Sequence, residues 1–97
     1  MTGKQRAYLR AMANGLDTIF QIGKGGISEE TVKQIGAALV ARELIKVRVL
    51  DNSGYTARQA CDALAGALCA DGVSVVWTRF VLYRLSAKKP KIELPRA

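Results

Sequence analysis

The sequence contains no histidine and only two cysteines, and these scarcities remove several kinds of chemistry. Without histidine, the usual general base and the commonest metal ligand are both missing. A zinc site needs more ligands than two sulfurs. Cys61 and Cys69 fall in one alanine-rich helical pattern, two turns apart, so we expect both to be buried, reduced thiols. We therefore expect no catalytic residue, no metal site and no cofactor.

Long hydrophobic runs are also absent. No apolar run approaches the ~18 residues that a membrane-spanning helix needs. The N-terminus lacks the charged and apolar regions of a signal peptide. We therefore expect no membrane partner and a location in the cytoplasm, with an organelle matrix as the alternative.

Negative charge is scarce: eight Asp and Glu stand against 15 Lys and Arg, which gives a formal net charge of +7. The 97 residues fit one domain, and a hydrophobic content of 49% predicts a packed core. A small domain this basic usually meets a polyanion, with nucleic acid ahead of an acidic membrane surface. The alternative is a soluble protein whose charge has no ligand.

Hydrophobic periodicity divides the chain into three helical and four strand-like segments. Helical patterns cover residues 2–13, 28–40 and 55–70, and strand patterns cover 16–22, 44–50, 73–77 and 80–85. Thr2 and Ser28 are suited to cap the first two helices, and Gly15 sits where a left-handed C-terminal glycine belongs. The apolar stripes predict buried helix faces that include Met12, Val40 and Leu68.

This order of segments, α-β-α-β-α-β-β, predicts an α/β fold. Strand-helix-strand units favour parallel neighbours, and the last two strands favour an antiparallel hairpin turning near Thr78-Arg79. We expect a two-layer α/β sandwich around a mixed sheet of about four strands. Residues 1–86 form the predicted domain, and residues 87–97 form a predicted basic, flexible C-terminal tail.

A glycine-rich segment, Gly23-Lys24-Gly25-Gly26, joins the first predicted strand to the second helix. Such a turn presents bare backbone amides to a phosphate, because glycine has no Cβ and admits positive φ. Lys24 adds a cation at its tip. Glu29 and Glu30 follow in the first helical turn and would repel an anion there. We therefore expect phosphate contact along the loop amides rather than at the helix terminus.

Four interpretations of this loop remain open on its residues alone. Gly23-x-Gly25-x-x-Ser28 partly matches a dinucleotide-binding motif, with Asp51 as the ribose ligand, but the third glycine is a serine. A P-loop fits less well, because no Lys-Ser/Thr pair closes the loop. A G-x-x-G segment can clamp a nucleic-acid backbone. The glycines can also simply form a tight turn.

Taken together, four segments resemble the YhbY-type CRM domain, the RNA-binding domain named for chloroplast RNA splicing and ribosome maturation. They are residues 3–10 (GKQRAYLR), 22–28 (IGKGGIS), 44–49 (LIKVRV) and 81–84 (VLYR), and the resemblance runs from about Thr2 to Ser86. It implies a fold similar to the C-terminal domain of translation initiation factor three. It also implies a nonenzymatic RNA-binding protein associated with the precursor of the large ribosomal subunit. A role in organellar intron splicing is the alternative within the family.

The resemblance implies RNA contacts at the glycine loop and at basic residues of the first helix and the second strand. It implies a further contact at the last arginine before the tail. These residues are Gly23, Lys24, Gly25, Gly26, Lys4, Arg6, Arg10, Lys46, Arg48 and Arg84. No small-molecule substrate is implied, and we expect a monomer. Alternatively, these basic residues lie on solvent-exposed helix or sheet faces and bind no ligand.

Two features depart from the family pattern. Asn14-Gly15 stand where many members have histidine, and Trp77-Thr78 stand where many have a glycine in the final hairpin turn. We expect Trp77 to be a packed hairpin residue rather than a platform for base stacking.

Overall fold

The computed structural model describes residues 1–85, 92, 94 and 95. Its elements in chain order are α1 (Gly3–Ala13), β1 (Thr18–Ile22), α2 (Glu29–Arg42), β2 (Leu44–Val49), a 3-10 turn (Asp51–Ser53), α3 (Ala57–Leu68), β3 (Asp71–Val76) and β4 (Arg79–Tyr83). The three helices and four strands predicted from the sequence are confirmed, with ends that differ by a few residues.

The four strands form one mixed sheet in the order β1-β2-β4-β3. β1 runs parallel to β2, whereas β2–β4 and β3–β4 are antiparallel. The parallel pair is connected through α2, as a strand-helix-strand crossover requires. The predicted mixed sheet and its antiparallel hairpin are therefore confirmed.

Alternation along β2 distributes the core over both faces of the sheet. Ile45, Val47 and Val49 pack with α2 and α3, whereas Leu44 packs with Leu9 and Ala13 of α1 on the other face. The sheet with α2 and α3 is the expected two-layer sandwich, and α1 adds a helix on the second face. This placement matters for function, because Lys46 and Arg48 share the α1 face with Leu44.

Side-chain caps fix the start of each helix. Thr2 Oγ1 accepts a hydrogen bond from the Gln5 N–H at 3.2 Å, and the Gln5 side chain accepts one from the Thr2 N–H. Ser28 Oγ accepts from the Thr31 N–H, so both predicted caps are confirmed. Thr56 forms a third cap with Gln59. These bonds satisfy N–H groups that have no partner inside the helix.

Several local predictions are wrong. Gly15 does not adopt positive φ, because α1 ends on Asn14 in a right-handed conformation. Cys69 is exposed, because it ends α3 at φ 53° and leaves the helical pattern there. Val40 is 59% exposed and Met12 is 40% exposed, because the buried stripes of their helices are narrower than the apolar spacing suggests.

The predicted tail lies mostly outside the described residues, but three of its positions are described. Ile92 and Leu94 pack against the α1 face of the core, and the Ile92 N–H donates to the Glu43 carboxylate at 2.9 Å. Gln5 Nε2 donates to the Pro95 carbonyl at 3.0 Å. At these three positions the chain is held against the domain, whereas the proposed boundary near residue 86 stays a prediction.

Among the described residues, no helix combines the length and hydrophobicity that crossing a bilayer demands.

Candidate nucleic-acid interface

A groove between α1 and the sheet gathers three cationic side chains. Arg10 of α1, Lys46 of β2 and Arg79 of β4 line it together with the hairpin residue Trp77, around a volume of about 450 Å³. The rest of the lining is small, polar or apolar: Ala13, Asn14, Ser74, Val76, Thr78 and Val81. Among the described residues, no carboxylate lines the groove, and its charged lining residues are all cationic.

Strand register explains why these cations meet. Lys46 pairs with Val81 and Arg48 pairs with Arg79 across β2 and β4, and directly paired residues point to the same face. That face is the one covered by α1. Because α1 covers the other end of the strands, near Leu44 and Tyr83, it leaves the cationic end open beside its own C-terminus.

Arg48 has an incomplete hydrogen-bond shell. Its Nε is buried and has no partner among the described residues. The neighbouring side chains in its row across the sheet are Gln21 on β1 and Arg79 on β4, neither of which is an acid. No ion pair joins Arg48 or Arg79 to a carboxylate of the described part of the chain. An anion placed over this row would lie near two guanidinium groups, which form strong charge-assisted hydrogen bonds with anions.

The glycine loop leaves the same end of the sheet as the hairpin. Gln21, Arg48, Arg79 and Val76 form one row, and the chain enters the loop two residues after Gln21 and the hairpin turn directly after Val76. With strands ~4.8 Å apart, the loop and the turn flank the arginine row at a separation of about 14 Å. Lys24 and Gly25 are exposed at the centre of the loop.

The loop is a tight turn, and Tyr55 and Ser53 lie close to its last glycine. The Gly26 N–H donates to the Gly23 carbonyl at 2.9 Å, and both central residues, Lys24 and Gly25, have negative φ. Gly26 has φ 63°, and a Cβ there would lie 3.2 Å from Cε2 of Tyr55 and 3.3 Å from the Ser53 carbonyl. The conformation therefore requires glycine at position 26, and the ring of Tyr55 fills the space that a side chain there would need.

Gly25 differs from Gly26 in this respect. It has no positive φ, and a Cβ built on it meets nothing within 4 Å. Its position leaves space for a ligand to approach the backbone, but the turn would tolerate a side chain. Positive φ therefore requires glycine at Gly26 and not at Gly25.

Trp77 is not packed, contrary to the sequence-based expectation. Its side chain is 92% exposed at the tip of the β3–β4 hairpin. The reason is that Trp77 falls within the two-residue turn, beyond the last paired residue Val76, so neither sheet face covers it.

Two of the three basic residues predicted on α1 lie outside the groove. Arg6 lines a separate pocket beside the edge strand β3, and Arg58 of α3 lines the same pocket. Lys4 is exposed and lies five residues before the buried Leu9, about 140° around the helix from it. Arg10 is the α1 cation that reaches the groove.

Arg84 lies at the other end of the sheet and is engaged within the protein. Its Nη1 donates to the Leu68 carbonyl at 3.0 Å and its Nη2 donates to the Gly36 carbonyl at 3.4 Å. A guanidinium at the last carbonyls of α3 also complements the helix dipole. The structure therefore separates Arg84 from the other predicted contacts and gives it a role in joining α2 to α3.

Two groove residues, Arg79 and Trp77, were missed by the sequence-based list of contacts, and so was Tyr55 behind the loop. Arg79 sits next to the alternating residues Phe80 and Leu82, so an exact hairpin register would have placed it beside Arg48. The sequence alone offers no signal that fixes this register, because the turn contains no glycine or asparagine.

Comparisons with known proteins agree with this architecture. The sequence model of the CRS1/YhbY (CRM) domain matches residues 1–84. The chain is 43% identical over 95 residues to the Bacillus subtilis protein named "Probable RNA-binding protein YqeI", which covers 98% of this chain and 99% of the relative. It is 32% identical over 96 residues to a Haemophilus influenzae protein named "RNA-binding protein", covering 99% of this chain and 96% of the relative.

A solved structure has the same fold. The solution structure of a Staphylococcus aureus protein superimposes with a TM-score of 0.81 at 46% sequence identity, covering 98% of this chain and 99% of that one. The similarity thus extends over the whole domain, including α1 and the hairpin.

Proposed function

This chain belongs to the CRS1/YhbY (CRM) domain family, and we propose that it is a nonenzymatic RNA-binding protein. We further propose that its RNA is the ribosomal RNA of large-subunit precursors and that it acts in the cytoplasm during ribosome assembly. The relatives' names support RNA as the ligand. The ribosomal assignment rests on the resemblance of residues 3–10, 22–28, 44–49 and 81–84 to the YhbY-type domain.

The observation that carries the proposal is the convergence of cations from three elements. Arg10, Lys46 and Arg79 line one groove, and none of the described residues that line it is a carboxylate. Arg48 adjoins the groove in the same strand as Lys46. Solubility alone does not require cations from three separate elements to line one groove. A polyanion is the ligand that this arrangement favours.

RNA would bind chiefly through its phosphates. Lys and Arg side chains neutralise phosphates and release counterions, which supplies affinity without reading sequence. The exposed amides of the glycine loop, with Lys24 at the tip, would fix the register of the backbone about 14 Å from the hairpin. Recognition would therefore depend on the shape of a folded RNA more than on its base sequence.

Sedimentation of ribosomal particles tests the cellular assignment. In a lysate fractionated at low salt, the protein should travel with precursors of the large subunit, and high salt should release it because phosphate contacts are screened. Nuclease treatment should also release it. Migration with free proteins only, or with particles that resist nuclease, would contradict the assignment. Recovery with intron-containing RNA would favour the splicing role instead.

A further inference from the structure

The most exposed large apolar side chain of the described residues is that of Trp77. It is 92% exposed, and its neighbour Val76 is 56% exposed on the adjoining end of β3. An indole in this position contributes nothing to the core, and aromatic rings are costly to leave in water. Such a residue is a candidate for contact with a ligand that offers a flat apolar face.

The backbone conformation at position 77 favours glycine, so the local fold does not explain why a tryptophan is there. Val76 pairs with Arg79, so the hairpin turn has only two residues, and Trp77 is the first of them with φ 58°. Positive φ at the first position is the pattern of a type II′ turn, which favours glycine. A bulky aromatic residue there is an outlier that the local fold does not require.

The groove beside Trp77 supplies the complementary charge. Arg79 follows the turn directly, and Lys46 and Arg10 line the groove with it. The volume of about 450 Å³ lies within the range of small-ligand sites, roughly 300–1,000 Å³. An aromatic rim with cations on one side suits a nucleotide, whose base is flat and whose phosphates are anionic.

We propose that Trp77 stacks on an unpaired RNA base while Arg79, Lys46 and Arg10 contact the adjoining phosphates. This inference rests on the proposed RNA-binding function and narrows its ligand to RNA with a bulged or single-stranded nucleotide. A base inside a continuous duplex has both faces covered by its neighbours, so only an unpaired base has a face free for the indole. Because every base has such a face, the preference is for structure and not for sequence.

Two variants at one position separate the indole from the turn. Trp77→Phe keeps an aromatic ring on the same strained backbone. Trp77→Gly removes the ring and suits positive φ, so the hairpin should be retained. Circular dichroism and unfolding in urea verify that both variants fold.

The test measures binding to two blunt-ended RNA duplexes with the same number of base pairs, one fully paired and one with a single-nucleotide bulge. Base–aromatic stacking corresponds to about 5- to 150-fold in affinity. The wild type and Trp77→Phe should therefore prefer the bulged RNA by at least about fivefold. Trp77→Gly should bind both RNAs with the affinity that the wild type shows for the paired one.

The single tryptophan of the chain provides an independent readout. Its fluorescence should be quenched when the protein is saturated with bulged RNA and should change little with the paired RNA. Unchanged fluorescence at saturation, or an equal preference in Trp77→Gly and wild type, would overturn this inference and leave RNA binding intact. Failure to bind either RNA would instead overturn the proposed function.

A membrane surface is the other ligand that an exposed indole beside cations can fit. Vesicles containing anionic phospholipid are therefore added as a competitor. If they displace bulged RNA from the wild type and shift Trp77 emission to shorter wavelength, the inference is overturned. If they do neither, base stacking is supported.

Discussion

Arg48 of β2 and Arg79 of β4 stand directly opposite each other on the open end of the α1 face. Like charges in this relationship repel, and no acidic side chain of the described residues bridges them. The pair is therefore unfavourable in the free protein. A phosphate bound between the two guanidinium groups would convert the repulsion into two favourable contacts.

The first prediction concerns the cost of this pair. Arg79→Gln should raise the free energy of unfolding by about 0.2–1 kcal/mol, because it removes the cross-strand repulsion. The same variant should bind RNA more weakly. Urea unfolding at low salt measures the first effect, and Lys33→Gln, an exposed substitution on α2, serves as the control. A less stable Arg79→Gln protein would show that the arginine stabilises the hairpin in the absence of ligand.

The second prediction separates two neighbouring glycines. Gly26→Ala should lower the free energy of unfolding by about 1–3 kcal/mol, because alanine is strained at positive φ and its Cβ would crowd Tyr55 and Ser53. Gly25→Ala, which meets nothing within 4 Å, should change it by less than about 0.5 kcal/mol. Chemical denaturation of the two variants checks both values. Equal destabilisation would mean that the turn differs from the one described.

The third prediction tests how closely α3 approaches the sheet. A Cβ on Gly72 would lie 2.9 Å from Cys61 Sγ, so Gly72→Ala should destabilise the fold by about 1–3 kcal/mol. Cys61→Ala removes the sulfur and by itself also lowers the free energy of unfolding. In the double variant the two losses should not add, because the clash is absent, and a double-mutant cycle measures the difference. Strict additivity would contradict the contact.

The fourth prediction distinguishes the two thiols. Burial, with a contribution from Asp62 that Arg58 opposes, raises the pKa of Cys61, whereas Cys69 is exposed. One thiol per chain should therefore react rapidly with a thiol reagent in the native protein, and two should react in denaturant. Mass spectrometry of the labelled peptide should identify Cys69.

The same pKa shift makes a statement about pH. The folded state holds the Cys61 proton more tightly than the unfolded state, so its contribution to stability is complete at neutral pH. It should decline as pH rises above the ordinary thiol pKa of about 8.5. Cys61→Ala should lack this part of the alkaline decline. An identical pH dependence in both proteins would contradict the assignment to Cys61.

Periodicity was sufficient to predict the elements and the sheet. Lys46 and Arg48 alternate with buried β2 residues, and Thr2 and Ser28 are capping residues by type, so local rules fix their positions. These rules act within a few residues along the chain. They therefore hold before any tertiary contact is known.

The composition of the groove could not be derived in this way. Which face α1 covers depends on the packing of Leu9 against the core, and this placement decides that Arg10 reaches the groove whereas Lys4 does not. Arg84 resembles the other cations in sequence, yet its guanidinium is used by the Leu68 and Gly36 carbonyls. Both outcomes are set by contacts between residues that are distant in sequence.

Trp77 and Cys69 show that burial is hard to predict from the sequence at the end of a helix or strand. Each extends a pattern typical of buried residues, and each falls on the first residue after its element ends, with positive φ. One residue of error in an element boundary is enough to turn an exposed side chain into an apparently buried one.

The salt dependence of RNA affinity tests the central claim most directly. For a structured RNA, the logarithm of the binding constant should fall linearly with the logarithm of salt concentration. The triple substitution Lys46→Gln, Arg48→Gln and Arg79→Gln should make that slope shallower by about 2–3, since each lost phosphate contact contributes about 0.7–0.9. Lys33→Gln on α2 should leave the slope unchanged. A slope that is the same for the triple variant and the wild type would contradict binding of RNA at this face.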